Sequence, residues 1–176
     1  IPGKGYWMKH AGDRTYNTGD EWPAEGIKII LHNPINAESG WNLFGGHAEI
    51  VPTAGVTTTR PGVIGGPIDG YSGGYFVPVN LEPGHGYWVK LTGAGQINIP
   101  DVFTKRNNEV VNWFKDDWGR IIISDATGKT YTLYSIKGEV DLNNYDLPPA
   151  PPEGMFDIRF SSGRIAEDIN SAIKTI

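Results

Sequence analysis

The chain contains the segment Pro83-Gly84-His85-Gly86-Tyr87-Trp88-Val89-Lys90-Leu91-Thr92-Gly93, and an earlier copy of it starts 81 positions before, at Pro2-Gly3-Lys4-Gly5-Tyr6-Trp7. Seven of the eleven positions are identical in the two copies. In each copy a proline fixes the backbone and two glycines permit a tight turn with positive φ. The following residues begin a strand whose successive side chains face opposite sides of a sheet. We therefore predict structural turns with core anchors at Pro2, Gly3, Gly5, Tyr6 and Trp7, and at Pro83, Gly84, Gly86, Tyr87 and Trp88.

Glycine and proline are unusually frequent in this chain. The 24 glycines and 13 prolines make up about a fifth of the 176 residues, against roughly an eighth in average proteins. The glycines follow no three-residue period, and strong helix formers are few. This composition predicts many turns, and it excludes a helical bundle, a coiled coil and collagen.

Short runs of β-branched and aromatic residues, bounded by glycine or proline, predict strands at 26–32, 48–51, 74–80, 86–91 and 96–99. Two further runs, 120–124 and 130–136, flank a five-residue loop at 125–129 and predict a hairpin whose second strand is covered on both faces. Residues 155–160 alternate like a strand. The final segment, 163–176, has both helical spacing and β-branched residues, so a helix and an extended strand both remain open.

These patterns predict an all-β fold with little helix, arranged as two small antiparallel, Greek-key-like β-sandwich domains or as one elongated sandwich pair. The first domain, 1–100, is the glycine-rich module with the repeated turn. The second, 101–176, is a β-sandwich module with a proline-rich crossover at 147–152, where four of six residues are proline and lack a backbone donor.

Charge and composition exclude several classes of partner. The chain has 15 basic and 20 acidic residues, for a net charge of −5, which does not suit the phosphate backbone of nucleic acid. No apolar run approaches the roughly 20 residues that a membrane-spanning helix needs. The absence of cysteine excludes a disulfide framework and thiol chemistry.

The apparent catalytic motifs lack the structural context that their chemistry requires. We therefore predict a protein that is not an enzyme and needs no cofactor. Ser72 lies in a nucleophile-elbow pattern, Gly70-Tyr71-Ser72-Gly73-Gly74, but a predicted strand follows it where the motif requires a helix. A glycosidase would need two carboxylates, and nothing in the sequence selects a pair. Asp116, Asp117 and Asp125 could meet across the hairpin and bind calcium, although the spaced acidic loop of a calcium motif is absent.

Aromatic side chains are the remaining candidates for a binding surface. Their faces stack on sugar rings as well as on each other. Possible contacts with a glycan or a protein partner are Trp22, Trp41, Trp113 and Trp118; the alternative for each is core packing.

The segment from Gly40 to Gly45, with the sequence GWNLFG, and the later copy of the repeat together resemble a module of large secreted surface proteins of Bacteroidota-type bacteria. Residues 147–160 are similar to the LPP-x-PP-x-G-x-FD-x-RF segment that follows such modules. Those proteins are commonly exported by the type IX system. The resemblance covers most of residues 1–12 and 40–160, implies an extracellular or cell-surface β-rich module, and supplies no catalytic residues. Because the chain starts inside the first motif, we expect it to be a piece of a longer precursor.

We therefore expect a structural or adhesive module that contacts other protein chains, including copies of itself. An open sheet edge filled by a strand of another chain would make it a subunit of a filament or sheath, with 163–176 as a candidate donor strand. The alternative is a carbohydrate-binding module that contacts polysaccharide.

Overall fold

The structure is a computed structural model that describes residue 12, residues 33–100, residues 111–168 and residue 176. The strands within these ranges, numbered in chain order, are Ile35–Ala37 (β1), Gly40–Gly45 (β2), Val51–Pro52 (β3), Thr57–Thr58 (β4), Ile64–Tyr71 (β5), Tyr75–Phe76 (β6), Asn80–Leu81 (β7), Gly86–Leu91 (β8), Gly95–Asn98 (β9), Gly119–Ser124 (β10), Thr130–Ile136 (β11) and Ala166–Asp168 (β12). Helix in the described ranges is limited to the 3-10 turns Thr53–Gly55 and Leu142–Tyr145. The predicted all-β class is confirmed. No described helix is long and apolar enough to span a membrane.

The described strands form four sheets. The largest has the order β2-β8-β5-β6, and the others are β1-β9-β4, β3-β7 and β10-β11-β12. Neighbouring strands are antiparallel, with one exception: β12 runs parallel to β11, with Tyr134 opposite Ala166. The described start of the C-terminal segment is therefore extended and pairs within its own chain.

Two apolar clusters hold these sheets together. The first core consists of Ala37, Phe44, Val51, Val56, Val63, Ile68, Leu81, Tyr87, Val89, Leu91, Ile97 and Ile99. The second core consists of Tyr75, Trp118, Tyr131, Leu133, Ile136, Tyr145, Leu147, Phe160, Ile165 and Ala166. Strands of all four sheets contribute, because each strand is too short to bury a face alone.

The sheet β2-β8-β5-β6, which we call the shared sheet, has a core on each face. Along β8, Tyr87 and Val89 belong to the first core, whereas Trp88 between them packs against the second core. This follows from the alternation of side chains along a strand. Tyr71 and Tyr75 pair across β5 and β6 and also reach the second core.

Two hydrogen bonds and one ion pair join the shared sheet to segments that pack against the second core. The Tyr71 hydroxyl donates to the Phe156 carbonyl over 2.7 Å, and the Tyr75 hydroxyl donates to the Pro149 carbonyl over 2.7 Å. The ammonium of Lys90 contacts the Asp146 carboxylate. The proline-rich segment 147–152 contains no strand and lies against the second core, where Leu147 and Pro148 are buried.

The turn that precedes β8 is a type II β-turn. The His85 N–H donates to the Glu82 carbonyl over 3.3 Å, with Pro83 second in the turn and Gly84 third, at φ +78°. This is the arrangement that favours proline and glycine at those two positions. Gly86 has no positive φ and begins the strand.

Some predicted strands match the observed strands, and others differ from them in length. The predictions at 86–91 and 96–99 match β8 and β9, and the predicted hairpin is β10-β11. The prediction at 74–80 is too long: β6 and β7 are separate, because Pro78 cannot donate to a ladder. The prediction at 48–51 reaches the sheet only at Val51. The predicted strand at 26–32 lies outside the described residues.

The predicted strand at 155–160 is wrong, since these residues pair with no other strand. Their polar groups have other partners. The Phe156 carbonyl accepts from Tyr71, and the Arg159 guanidinium binds the Asp157 carboxylate with two hydrogen bonds of 2.8 and 3.0 Å and the Pro148 carbonyl over 2.8 Å.

Candidate functional site

The strand β10 forms one edge of the sheet β10-β11-β12. Within the described ranges no strand pairs with its outer side. An edge strand presents unpaired N–H and C=O groups, which are a template for pairing with a further strand. We refer to residues Gly119–Ser124 as the β10 edge.

The loop of the hairpin fixes β10 in register with β11. The Asp125 carboxylate accepts hydrogen bonds from the Thr127 hydroxyl over 2.7 Å and from the N–H groups of Thr127 and Lys129 over 2.8 and 3.0 Å. Gly128 supplies the left-handed residue of the loop, at φ +84°. The hydrogen bonds, first that from the Thr127 hydroxyl, lower the pKa of Asp125 because they stabilise its charged form.

The neighbouring strand β11 is packed on both faces, as the sequence predicts. Tyr131 and Leu133 are buried on one face, and Ile136 is buried on the other. On the latter face the ring of Tyr134 stacks on Phe114, with ring centroids 4.3 Å apart. The β10 edge is therefore attached to a strand that is held from both sides.

Apolar side chains lie exposed on the β10 edge. Ile122 is 67% exposed and Ile121 is 37% exposed, whereas Ile123 is half-buried against the second core. Ile121 lies opposite Leu133 on one face of the sheet, and Ile122 lies opposite Thr132 on the other face, which also carries Tyr134 and Ile136. The edge therefore offers apolar groups on both faces together with its backbone.

Charge on the edge is limited to one side chain. Arg120 is the only charged residue of β10, and its guanidinium lies 3.5 Å from the Asp116 carboxylate. Natural edge strands are commonly protected by lysine, proline or a bulge. The stretch from 119 to 124 contains no lysine or proline, and it pairs with β11 without a register shift.

The four candidate tryptophans are not brought together as an exposed row within the described ranges. Trp118 is 4% exposed and lies in the second core, edge-on to Tyr145 at 5.4 Å, which is the core alternative. Trp41 and Trp113 are partly buried, and the Trp113 carbonyl accepts from the Tyr145 hydroxyl over 3.0 Å. Trp22 lies outside the described residues.

The predicted turn and anchor residues of the earlier copy lie outside the described residues, whereas those of the later copy lie within them. Pro2, Gly3, Gly5, Tyr6 and Trp7 lie outside the described residues. In the later copy Tyr87 is buried, and its hydroxyl accepts a hydrogen bond from the Glu82 N–H over 2.7 Å, which ties the strand to its own turn.

Two of the three acidic residues of the calcium hypothesis, Asp116, Asp117 and Asp125, have local partners. Asp125 accepts the loop hydrogen bonds given above, and Asp116 faces Arg120. Within the described ranges no three histidine or acidic side chains are placed to hold a metal ion together.

An apolar groove of about 350 Å³ lies between the two cores. Its walls include Pro52, Val77, Val79, Val111 and Trp113. No carboxylate, histidine or lysine lines it, so these described walls provide no acid-base group.

A buried carboxyl group on the shared sheet is the polar feature that sequence reasoning missed. Asp69 is 3% exposed, and its Oδ2 atom has no hydrogen-bond partner among the described residues; the same is true of the Trp88 indole N–H and the Tyr131 hydroxyl. Asp69 and Trp88 are directly opposite each other on β5 and β8. Burial raises the pKa of Asp69 well above its usual value. No local sequence signal marks this site, because a strand containing three glycines and a proline does not predict burial.

Comparisons of the chain with protein-family models, with curated proteins and with solved structures gave no match.

Proposed function

We propose that this protein is a non-enzymatic structural or adhesive module of the cell surface or extracellular space, and that it joins other protein chains by strand addition at the β10 edge. The supporting observation is an edge strand that no described strand covers, with Ile121 and Ile122 exposed on its two faces. In strand addition, backbone hydrogen bonds supply affinity and alternate side chains supply specificity.

The surroundings of β10 favour this role over that of a loose surface strand. Its hairpin loop is held by Asp125, and β11 is packed on both faces. The edge is therefore ordered before a partner arrives, which lowers the conformational entropy lost on binding.

A direct test asks whether the edge accepts an added strand. The probe is a synthetic peptide of alternating valine and threonine, unrelated in sequence to β10, acetylated and amidated, and titrated into isotope-labelled protein. We expect amide chemical-shift changes centred on Gly119–Ser124 and slowed hydrogen exchange there. The same peptide with one central valine replaced by proline should produce neither effect.

Two matched variants give the control. Ile122→Lys places a charge on the edge and should weaken peptide binding severalfold, whereas Ile50→Lys changes an equally apolar side chain, 54% exposed, away from the edge and should leave binding intact. Both are surface substitutions and should change stability by less than about 0.5 kcal/mol. Absence of any response in β10 at millimolar peptide would refute the proposed function.

The proposed location is tested separately. It is supported by the resemblance of the 40–45, 81–90 and 147–160 segments to secreted surface modules. Antibodies against the purified protein should label intact, unpermeabilised source cells. Labelling only after permeabilisation would contradict an extracellular role.

A further inference from the structure

We infer that the partner of the β10 edge is a second copy of this chain, paired antiparallel about a two-fold axis at Ile122. This inference rests on the proposed function, because it names the strand that the edge accepts. A pair of this kind uses the same surface on both subunits, as the interface of a symmetric dimer does.

The order of side chains in β10 is complementary to itself in this arrangement. With Ile122 opposite Ile122 of the second copy, Ile121 lies opposite Ile123, and Arg120 lies opposite Ser124. Because paired residues in an antiparallel ladder point to the same side, Ile121 and Ile123 of both copies adjoin one another on one face of the sheet, and the two Ile122 side chains adjoin on the other. The pairing therefore covers both exposed isoleucines, Ile121 at 37% and Ile122 at 67% exposed, with apolar side chains.

The charges also favour this orientation. The antiparallel pair places Arg120 beside Ser124 and next to the position of Asp125 in the second copy, and so pairs a cation with a hydroxyl and a nearby carboxylate. A parallel pair in register would place Arg120 beside Arg120, and like charges directly opposite each other destabilise a sheet. The antiparallel two-fold pair is thus the arrangement that the sequence of this edge supports.

The pairing would join the two sheets β10-β11-β12 into one continuous sheet of six strands. The ladder would use the backbone groups that β10 leaves unpaired within the described ranges. It would leave the outer edge of β12, at Ala166–Asp168, as the next edge in each copy.

The test uses single cysteines, which are informative here because the chain has no cysteine of its own. In the paired state the Cα atoms at position 122 of two Ile122→Cys chains would be about 4.5–5.5 Å apart, within the range that a disulfide spans. Under mild oxidation we expect Ile122→Cys to form a covalent dimer of doubled mass, and Ile50→Cys at the same concentration to stay single. The unmodified protein should sediment as a dimer that dissociates on dilution, and Ile122→Lys should sediment as a monomer.

Register is tested with a mixture of Arg120→Cys and Ser124→Cys. The two variants should cross-link to each other and not to themselves. Self-cross-linking of Arg120→Cys would indicate parallel pairing and overturn the inference. A monomeric parent protein, together with an Ile122→Cys variant that forms no covalent dimer, would also overturn the inference. If the valine-threonine peptide still bound at β10, the proposed function would stand, with a different protein chain as the partner.

Discussion

Asp69 is a buried carboxyl group on the face of the shared sheet that meets the second core. Its cross-strand neighbour is Trp88, and its charge would act on the hydroxyls of Tyr75 and Tyr131, whose pKa values are raised first by burial. By contrast, the other buried acid, Glu167, accepts a hydrogen bond of 3.3 Å from Arg164. Burial disfavours the charged form of the carboxyl and so raises the pKa of Asp69 well above its usual value in the folded chain.

This gives a prediction for the pH dependence of stability. The folded pKa of Asp69 lies above the unfolded value of about 3.9, so the folded state binds more protons between those two values. The free energy of unfolding should fall as pH rises through that window, by at most about 1.4 kcal/mol per pH unit from this group. Asp69→Asn should remove this slope and be more stable than the parent at pH 8, as measured by urea unfolding from pH 4 to 8. An unchanged slope in Asp69→Asn would contradict a raised pKa of Asp69 in the folded chain.

The turn and strand of the repeated segment show how much an element depends on one backbone position. Gly84 has φ +78° and no atom within 4 Å of the place that a β-carbon would occupy, whereas Gly86 has an ordinary φ and only van der Waals neighbours there, the closest being Leu43 at 3.6 Å. Gly84→Ala should therefore lower the free energy of unfolding by about 1–2 kcal/mol through strain alone. Gly86→Ala should be neutral or stabilising by about 0.4–1 kcal/mol, because it restricts only the unfolded chain. Urea titrations of both variants check this, and equal losses would mean that the turn is not type II.

Elements with local signals could be predicted, and elements made by long-range contacts could not. The hairpin β10-β11 follows from two β-branched runs around a glycine-containing loop, and β8 follows from its turn. The strand β5 has no such signal, because Gly65, Gly66 and Pro67 interrupt it and accompany a register shift against β8 between Ile64 and Ile68. Gly66 is required there because a side chain would meet the Asn144 carbonyl at 3.0 Å, a contact between distant segments.

The candidate site, too, could be predicted from the sequence only in part. The sequence predicts an open sheet edge in general terms and identifies the strand 120–124. It does not show that this strand is the edge, because edge position depends on the order β10-β11-β12 and on the parallel return of β12. The burial of Trp118 likewise depends on Tyr134 and Tyr145, which reach it only in the fold.

The shared sheet should make the two cores one cooperative unit. Leu133 in the second core and Leu81 in the first are both fully buried. Leu133→Ala and Leu81→Ala should each lower the free energy of unfolding by about 2–5 kcal/mol. Each should shift one common transition, seen alike by far-ultraviolet and near-ultraviolet circular dichroism. A biphasic curve for either variant would show that the cores unfold separately.

The packing of the shared sheet on both sides restricts how β8 can vary among natural sequences. In a sheet with one solvent-exposed face, alternate residues tolerate substitution, and the substitution rate among related sequences rises and falls every two residues. From Tyr87 to Leu91 neither set of alternate positions is free in this way, because one set fills the first core and the other meets the second core and Asp146. The substitution rate should therefore be low at every position from Tyr87 to Leu91, without the two-residue alternation.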